Sequence, residues 1–170
     1  TCVSASLMSA YDCASLPVPE VVGTAIIGSI GPVALPVPMG AHRVSVRSAL
    51  EMREAVLAAV PGSDVFIGVA AVADYRPAEP AGDKIKKDDK PLQVALAPNP
   101  DILATLSGPG VKRPGLVVGF AAETEDVVSN AVEKRTRKGC DWIVANDVSP
   151  ETGIMGGDRN AVHLVTGEGV

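Results

Sequence analysis

Three stretches of the chain are almost unbroken runs of apolar residues: "DVFIGVAAVA" (residues 64–73), "GLVVGFAAE" (115–123) and "DWIVAND" (141–147). A strand with one wet face alternates apolar and polar side chains, so continuous runs of this length predict strands covered on both faces. Between the runs the apolar period lengthens to that of a helix. Ser48 with Glu51 three positions on is a capping-box signature, predicting a helix to about Val60 that "PGSD" ends. Asn99, Pro100 and Asp101 read as an N-cap, a proline in the first helical position and an acid in the first turn of a helix ending near Gly108. A third helix is predicted over 126–138, with Val127, Val128, Ala131 and Val132 as its buried stripe and Gly139 as its C-cap glycine. Shorter strands are predicted at "HRVSV" (42–46), "LQVALA" (92–97) and "AVHLVT" (161–166). Residues 1–30 show neither period.

Strand alternating with helix predicts an α/β fold, a Rossmann-like three-layer sandwich with a mostly parallel sheet. Ligands in such sheets bind outside the carboxyl ends of the strands. Those ends are expected to carry Ala73-Asp74, Phe120 to Glu123, and Asn146-Asp147. No internal repeat or low-complexity tract interrupts the pattern.

Composition narrows the function. The 170 residues suit one domain, and with 46% apolar but only 3% aromatic residues the core must be built from Val, Ala, Leu and Ile. A net charge of −5 argues against a general nucleic-acid binder, so any anion has to be held by a local basic cluster. Three cysteines (Cys2, Cys13, Cys140), no C-x-x-C pair and two distant histidines (His42, His163) argue against a disulfide framework or zinc site and suit a reducing cytoplasm. Residues 21–41 are uncharged, but their glycines and prolines interrupt any spanning helix, and no signal-peptide pattern is present; no membrane partner is expected.

Two basic clusters stand out. Lys84, Lys86 and Lys87 follow a proline-broken loop, and in an extended segment Lys84 and Lys86 project to one side. Lys134 and Lys138 lie four apart on one helix face. Each has an ordinary reading, as a solvated loop or as complements to a helix dipole. Together with acids at strand ends they suggest a polyanion such as a nucleoside triphosphate, bound with a divalent metal. The chain has no P-loop, and a nicotinamide-binding oxidoreductase ranks last because no G-x-G-x-x-G turn follows a strand. Asp74 and Asp147 have turn formation as their default role, and Phe120 has core packing.

Six segments carry a resemblance. "AAVADYRP", "KIKK", "NPDI", "VVGFAAET", "KRTRKGCD" and "ANDVS", in this order and spacing, look like the phosphopantothenoylcysteine synthetase family. That family is the ligase half of the bifunctional coenzyme A biosynthesis flavoprotein of bacteria. "GPVALPVP" fits as well, and the likeness covers residues 31–170, leaving 1–30 as an atypical N-terminal segment. The resemblance implies that 4′-phosphopantothenate and L-cysteine are joined through an acyl-cytidylate formed from CTP, with Mg²⁺, in a cytoplasmic homodimer. By motif it implies nucleotide-binding roles for Gly68, Val69, Ala70, Asp74, Lys84, Pro100, Asp101, Ile102, Leu103, Phe120, Lys134 and Lys138, with Lys84 also catalytic and the metal ligands unassigned. The family's glycine-rich opening stretch has no counterpart in residues 1–30, the family's final helix lies beyond the last residue, and the flavin-bearing decarboxylase domain is missing. Weak CTP binding is therefore expected of this chain alone, the alternative being a truncated, non-catalytic fragment of the ligase.

Overall fold

A computed structural model of the chain describes residues 24–27, 40–80, 82–83, 85–86, 91–152 and 160–170. It is a mixed α/β structure with a mostly parallel central sheet, Rossmann-like as the sequence predicts. The first described strand, β1 (Thr24–Ile27), pairs in parallel with β2 (Ala41–Val44). Helix α1 (Ala49–Ala59) follows, then β3 (Val65–Gly68), a short ribbon of β4 (Tyr75–Pro77) and β5 (Leu96–Pro98), and α2 (Ile102–Ser107). The chain continues through β6 (Leu116–Glu123), α3 (Val127–Lys138), β7 (Trp142–Asp147) and β8 (Val162–Val165). The main sheet has the order β3-β6-β7-β8, parallel except for the antiparallel β7–β8 pair.

Local chemistry explains the helix ends. The Ser48 hydroxyl accepts the Glu51 N–H at 3.1 Å, as the capping signature predicts, a contact worth about 1 kcal/mol. The reciprocal half differs: Glu51 accepts the N–H of Arg47, not of Ser48. Helix α2 starts later than predicted. Its N-cap is Asp101, whose carboxylate accepts the Ala104 N–H at 3.0 Å, so Asn99 lies outside the helix. Helix α3 ends on Gly139 at φ 68°, the left-handed conformation for which glycine has no Cβ penalty. Of the expected stripe on α3, Ala131 is fully buried and Val127 packs on the core, but Val132 faces water.

Helices α2 and α3 pack on the same face of the main sheet. Val117, Ala121, Ile143, Ala145 and Val165 form a core with Ala131 of α3, against which Phe66 and Leu103 pack. Phe66 links this to a second cluster that holds Leu106 of α2 with Met52 and Val56 of α1. Packing at Gly119 is close: a Cβ there would stand 2.6 Å from the Leu103 side chain and 2.8 Å from that of Ile143, so only glycine lets α2 settle this near the sheet. Asp141 ties the strand starts together. Its carboxylate accepts the Val117 N–H at 2.7 Å and pairs with Arg113, while its carbonyl accepts from Arg135.

Two strand predictions need correction. The run over 64–73 is ladder-paired only through Val65–Gly68, and its residues are half-buried instead of enclosed. The run over 92–97 yields a strand only at Leu96–Pro98, with Leu92, Val94 and Leu96 exposed. Apolar content reports a tendency to be covered, not which backbone groups find a ladder partner.

Candidate functional site

Among the described residues, two of the predicted nucleotide segments lie near one another, one at the end of β3 and one at the start of α2, which packs on β6. Because β3 stops at Gly68, the carboxyl end of that strand is Gly68-Val69-Ala70, and Asp74 lies beyond it, leading into β4. Gly68 is paired in register with Gly119 of β6, so neither strand raises a side chain at this level. Asp74 is exposed, and its carbonyl accepts the Asn99 N–H at 2.7 Å.

Helix α2 sets the next group. Pro100 precedes the Asp101 cap, while Ile102 and Leu103 put their side chains into the two core clusters. Those two residues therefore have only backbone to offer a ligand. Asp101 uses both carboxylate oxygens: Oδ1 caps the helix, and Oδ2 takes the ammonium of Lys138, 37 positions on. Gly139 lies against Ser107 at the other end of α2, so the Lys138 arm runs back along that helix to its N-cap. Partial burial pushes the Asp101 carboxyl up. The Ala104 N–H, the hydrogen bond and charge of Lys138, and the nearby Arg137 outweigh burial, so it titrates below the ordinary carboxylate value.

Lys134, one turn earlier on α3, lines an open polar cleft of about 280 Å³ with Glu123, Asn130, Glu133 and Arg137. Two carboxylates face two cations there, and sequence spacing alone does not reveal that balance. At the end of β7, hydrogen bonds from Ser149 hold the Asp147 carboxyl below its usual value, giving this acid the turn role that is the default for its type. Phe120 is half-buried and alternates with Gly119 and Ala121, so it projects from the face opposite α2 and α3. The structure thus joins Asp101 to Lys138 but does not bring Phe120 to the α3 lysines; a ligand touching both has to straddle the sheet's rim. Lys84 lies outside the described residues, as does Lys87, while Lys86 is exposed. Among the described residues no group of three or more His, Cys, Asp or Glu could hold a metal, and no helix is long and apolar enough to cross a membrane.

Sequence reading missed Asn99 and Arg76. The Asn99 side chain donates to the Ala73 carbonyl at 2.8 Å and accepts from Arg76, which also donates to the Pro98 carbonyl. Asn and Asp are equally good N-caps, so "NPD" offers two starts for one helix, and the residue left out of the cap is free for other bonds.

A mostly parallel sheet, glycines where β3 and β6 meet, and paired charges at a helix start define a Rossmann-like α/β domain. The family model for the DNA/pantothenate metabolism flavoprotein C-terminal domain matches residues 20–170, and the chain belongs to that family. It is 49% identical over 142 residues to the coenzyme A biosynthesis bifunctional protein CoaBC of Escherichia coli, covering 82% of this chain and 35% of that protein. The corresponding Bacillus subtilis protein is 40% identical over 148 residues, covering 86% and 36%. The chain therefore spans about a third of the length of these curated relatives. Among solved structures, the C-terminal domain of a CoaBC protein superposes with a TM-score of 0.65 at 34% identity, over 86% of this chain and 61% of that one. The Streptococcus pneumoniae DNA/pantothenate metabolism flavoprotein shares the fold, with a TM-score of 0.62 at 18% identity over 84% and 73% of the two chains. The resemblance carried by the six motifs is borne out at the level of the family.

Proposed function

We propose that the chain is a CTP-dependent phosphopantothenate–cysteine ligase domain acting in coenzyme A biosynthesis, as a cytoplasmic homodimer. The carboxylate oxygen of 4′-phosphopantothenate attacks the α-phosphorus of CTP, and pyrophosphate leaves. The amine of L-cysteine then attacks the acyl carbon, and CMP leaves as the amide forms. The first step brings an anionic nucleophile to a triphosphate, and the second builds charge on the acyl oxygen and on the departing CMP as the amine gives up its proton, so fixed cations are what the protein has to supply. In this reading Lys84 steadies the transferring group, and Lys134 and Lys138 meet the nucleotide. Gly68, Val69, Ala70 and the Pro100–Leu103 segment present backbone to it. Mg²⁺ would be carried by the nucleotide's phosphates and would neutralise part of their charge, since this ion usually binds through substrate oxygens plus one or two carboxylates. In the longer relatives the partner activity would be a phosphopantothenoylcysteine decarboxylase flavoprotein domain.

The observation that carries the reading is the Asp101–Lys138 pair, which draws two motifs far apart in sequence to one helix start within a family member. The test is thermal unfolding of the purified chain. CTP with Mg²⁺ is expected to raise Tm in a concentration-dependent way by mass action, and NAD is expected to leave it unchanged. Lys84→Gln is expected to abolish the CTP response. A chain indifferent to CTP, or a Lys84→Gln variant with the full response, contradicts the proposal or the role of Lys84 respectively.

A further inference from the structure

We infer that Asn99, with Arg76, is a positioning residue that locks the loop after β3 to the entrance of α2, so that the two proposed nucleotide segments act as one surface. The inference rests on the ligase reading and assigns a role to residues that reading does not use. Four hydrogen bonds converge on the junction. The Asn99 amide nitrogen donates to the Ala73 carbonyl at 2.8 Å, and its backbone N–H donates to the Asp74 carbonyl at 2.7 Å. The Asn99 amide oxygen accepts from Arg76 Nη1 at 3.3 Å, and the same Arg76 nitrogen donates to the Pro98 carbonyl. On one side of this clasp lie Gly68, Val69, Ala70 and Asp74, and on the other Pro100 to Leu103.

Apart from Val72, which packs against the core cluster of α1 and α2, little else fixes the loop. Beyond Gly68 the chain leaves the parallel ladder, and from Val69 to Asp74 its only internal backbone bond among those described is Val72 N–H to the Ala70 carbonyl at 3.1 Å. The three-residue β4–β5 ribbon that follows is too short to be stable by itself. Asn99 suits the task because one amide offers a donor to the loop carbonyl of Ala73 and an acceptor to the guanidinium of Arg76 in β4. Pro100 helps by keeping Asn99 out of the helical region, which directs its side chain away from α2 and toward the loop. A ligand contacting both segments then meets a surface already assembled, and the entropy of ordering the loop is not charged against binding.

The experiment compares the wild-type chain with Asn99→Asp and Asn99→Ala. Aspartate keeps an acceptor for Arg76 and the backbone bond to Asp74 but loses the donor to Ala73; alanine loses both side-chain bonds. CTP with Mg²⁺ is titrated by thermal shift, and backbone amide exchange is followed without nucleotide. The expected result is a CTP midpoint raised at least about tenfold in both variants, with faster exchange confined to residues 69–76 and unfolding midpoints in the absence of CTP close to wild type. Asn99→Ala is expected to show the larger shift. A purely structural role predicts instead a lowered Tm without CTP and an unchanged CTP midpoint for the folded protein, and that result overturns the inference. So does unchanged exchange over 69–76. If the wild-type chain itself ignores CTP, the ligase reading fails and this inference falls with it, an outcome distinct from a responsive wild type with equally responsive variants.

Discussion

Asp101 shows how much one side chain can hold together. Its two oxygens serve separate elements, capping α2 at Ala104 and anchoring the last turn of α3 through Lys138. These roles can be separated by substitution. Asp101→Asn keeps a side-chain oxygen for the cap and discards the charge; Asp101→Ala discards both. Loss of an N-cap costs about 1 kcal/mol. The ion pair is partly exposed, 22% on the lysine and 41% on the aspartate, so solvent screening limits it to under about 1 kcal/mol. Asp101→Ala is therefore expected to lose about 1–2 kcal/mol in urea unfolding and Asp101→Asn less than about 1 kcal/mol. The pH dependence has a definite sign. The folded carboxyl titrates below its unfolded value, so its stabilisation is complete above the unfolded carboxylate range and disappears as pH falls through the folded pKa. The gap between wild type and Asp101→Asn should be full at neutral pH and close below about pH 4. A gap that stays constant into acid shows that the ion pair does not contribute.

At the scale of elements, Gly119 decides how α2 sits. A methyl group there meets the tips of Leu103 and Ile143, and Ile143 is fully buried with nowhere to move. Gly119→Ala is expected to cost about 1–3 kcal/mol through overpacking and to displace α2, raising the CTP midpoint as well. An unchanged urea midpoint would show that the two side chains relax freely. The same elements show what sequence can carry. Helix α1 was legible because its start is a local code, Ser48 and Glu51 three residues apart, and α3 because Gly139 ends it in a conformation that favours glycine. The start of α2 was not, since Asn99 and Asp101 satisfy the same rule and only the tertiary placement of Ile102, Leu103 and Leu106 chooses between them. At the site, spacing put Lys134 and Lys138 on one helix, but the partner of Lys138 lies 37 residues away and the partner of the Asn99 amide 26. Contacts of that separation have no periodic trace along the chain.

At the scale of the whole molecule, the segment between β3 and α2 is an anomaly for a monomer. Tyr75, Ile85, Leu92, Val94 and Leu96 are each more than half exposed, although apolar side chains of this size gain by leaving water. Tyr75 and Leu96 belong to the β4–β5 ribbon, whose strands have three residues each, and Ile85, Leu92 and Val94 lie in the chain between those strands. Exposed apolar side chains gathered in one stretch of chain mark a surface that another chain can cover. In the proposed homodimer a second copy is expected to cover this segment. The lysine segment that includes Lys84 and Lys86 lies within the same stretch of chain, between Tyr75 and Leu96. Dimerisation and nucleotide binding should therefore fail together. Leu92→Lys combined with Leu96→Lys places two charges in this segment at surface positions, away from the core clusters. Sedimentation velocity is expected to show a dimer for wild type and a monomer for the double variant, with the CTP-dependent rise in Tm reduced in parallel. A wild type that remains monomeric at tens of micromolar, above the dissociation constants of ordinary stable interfaces, removes the dimer. A monomeric double variant with the full CTP response keeps the dimer but shows that each chain completes its own site, because a lysine segment ordered by its own subunit needs no partner to hold it near the phosphates.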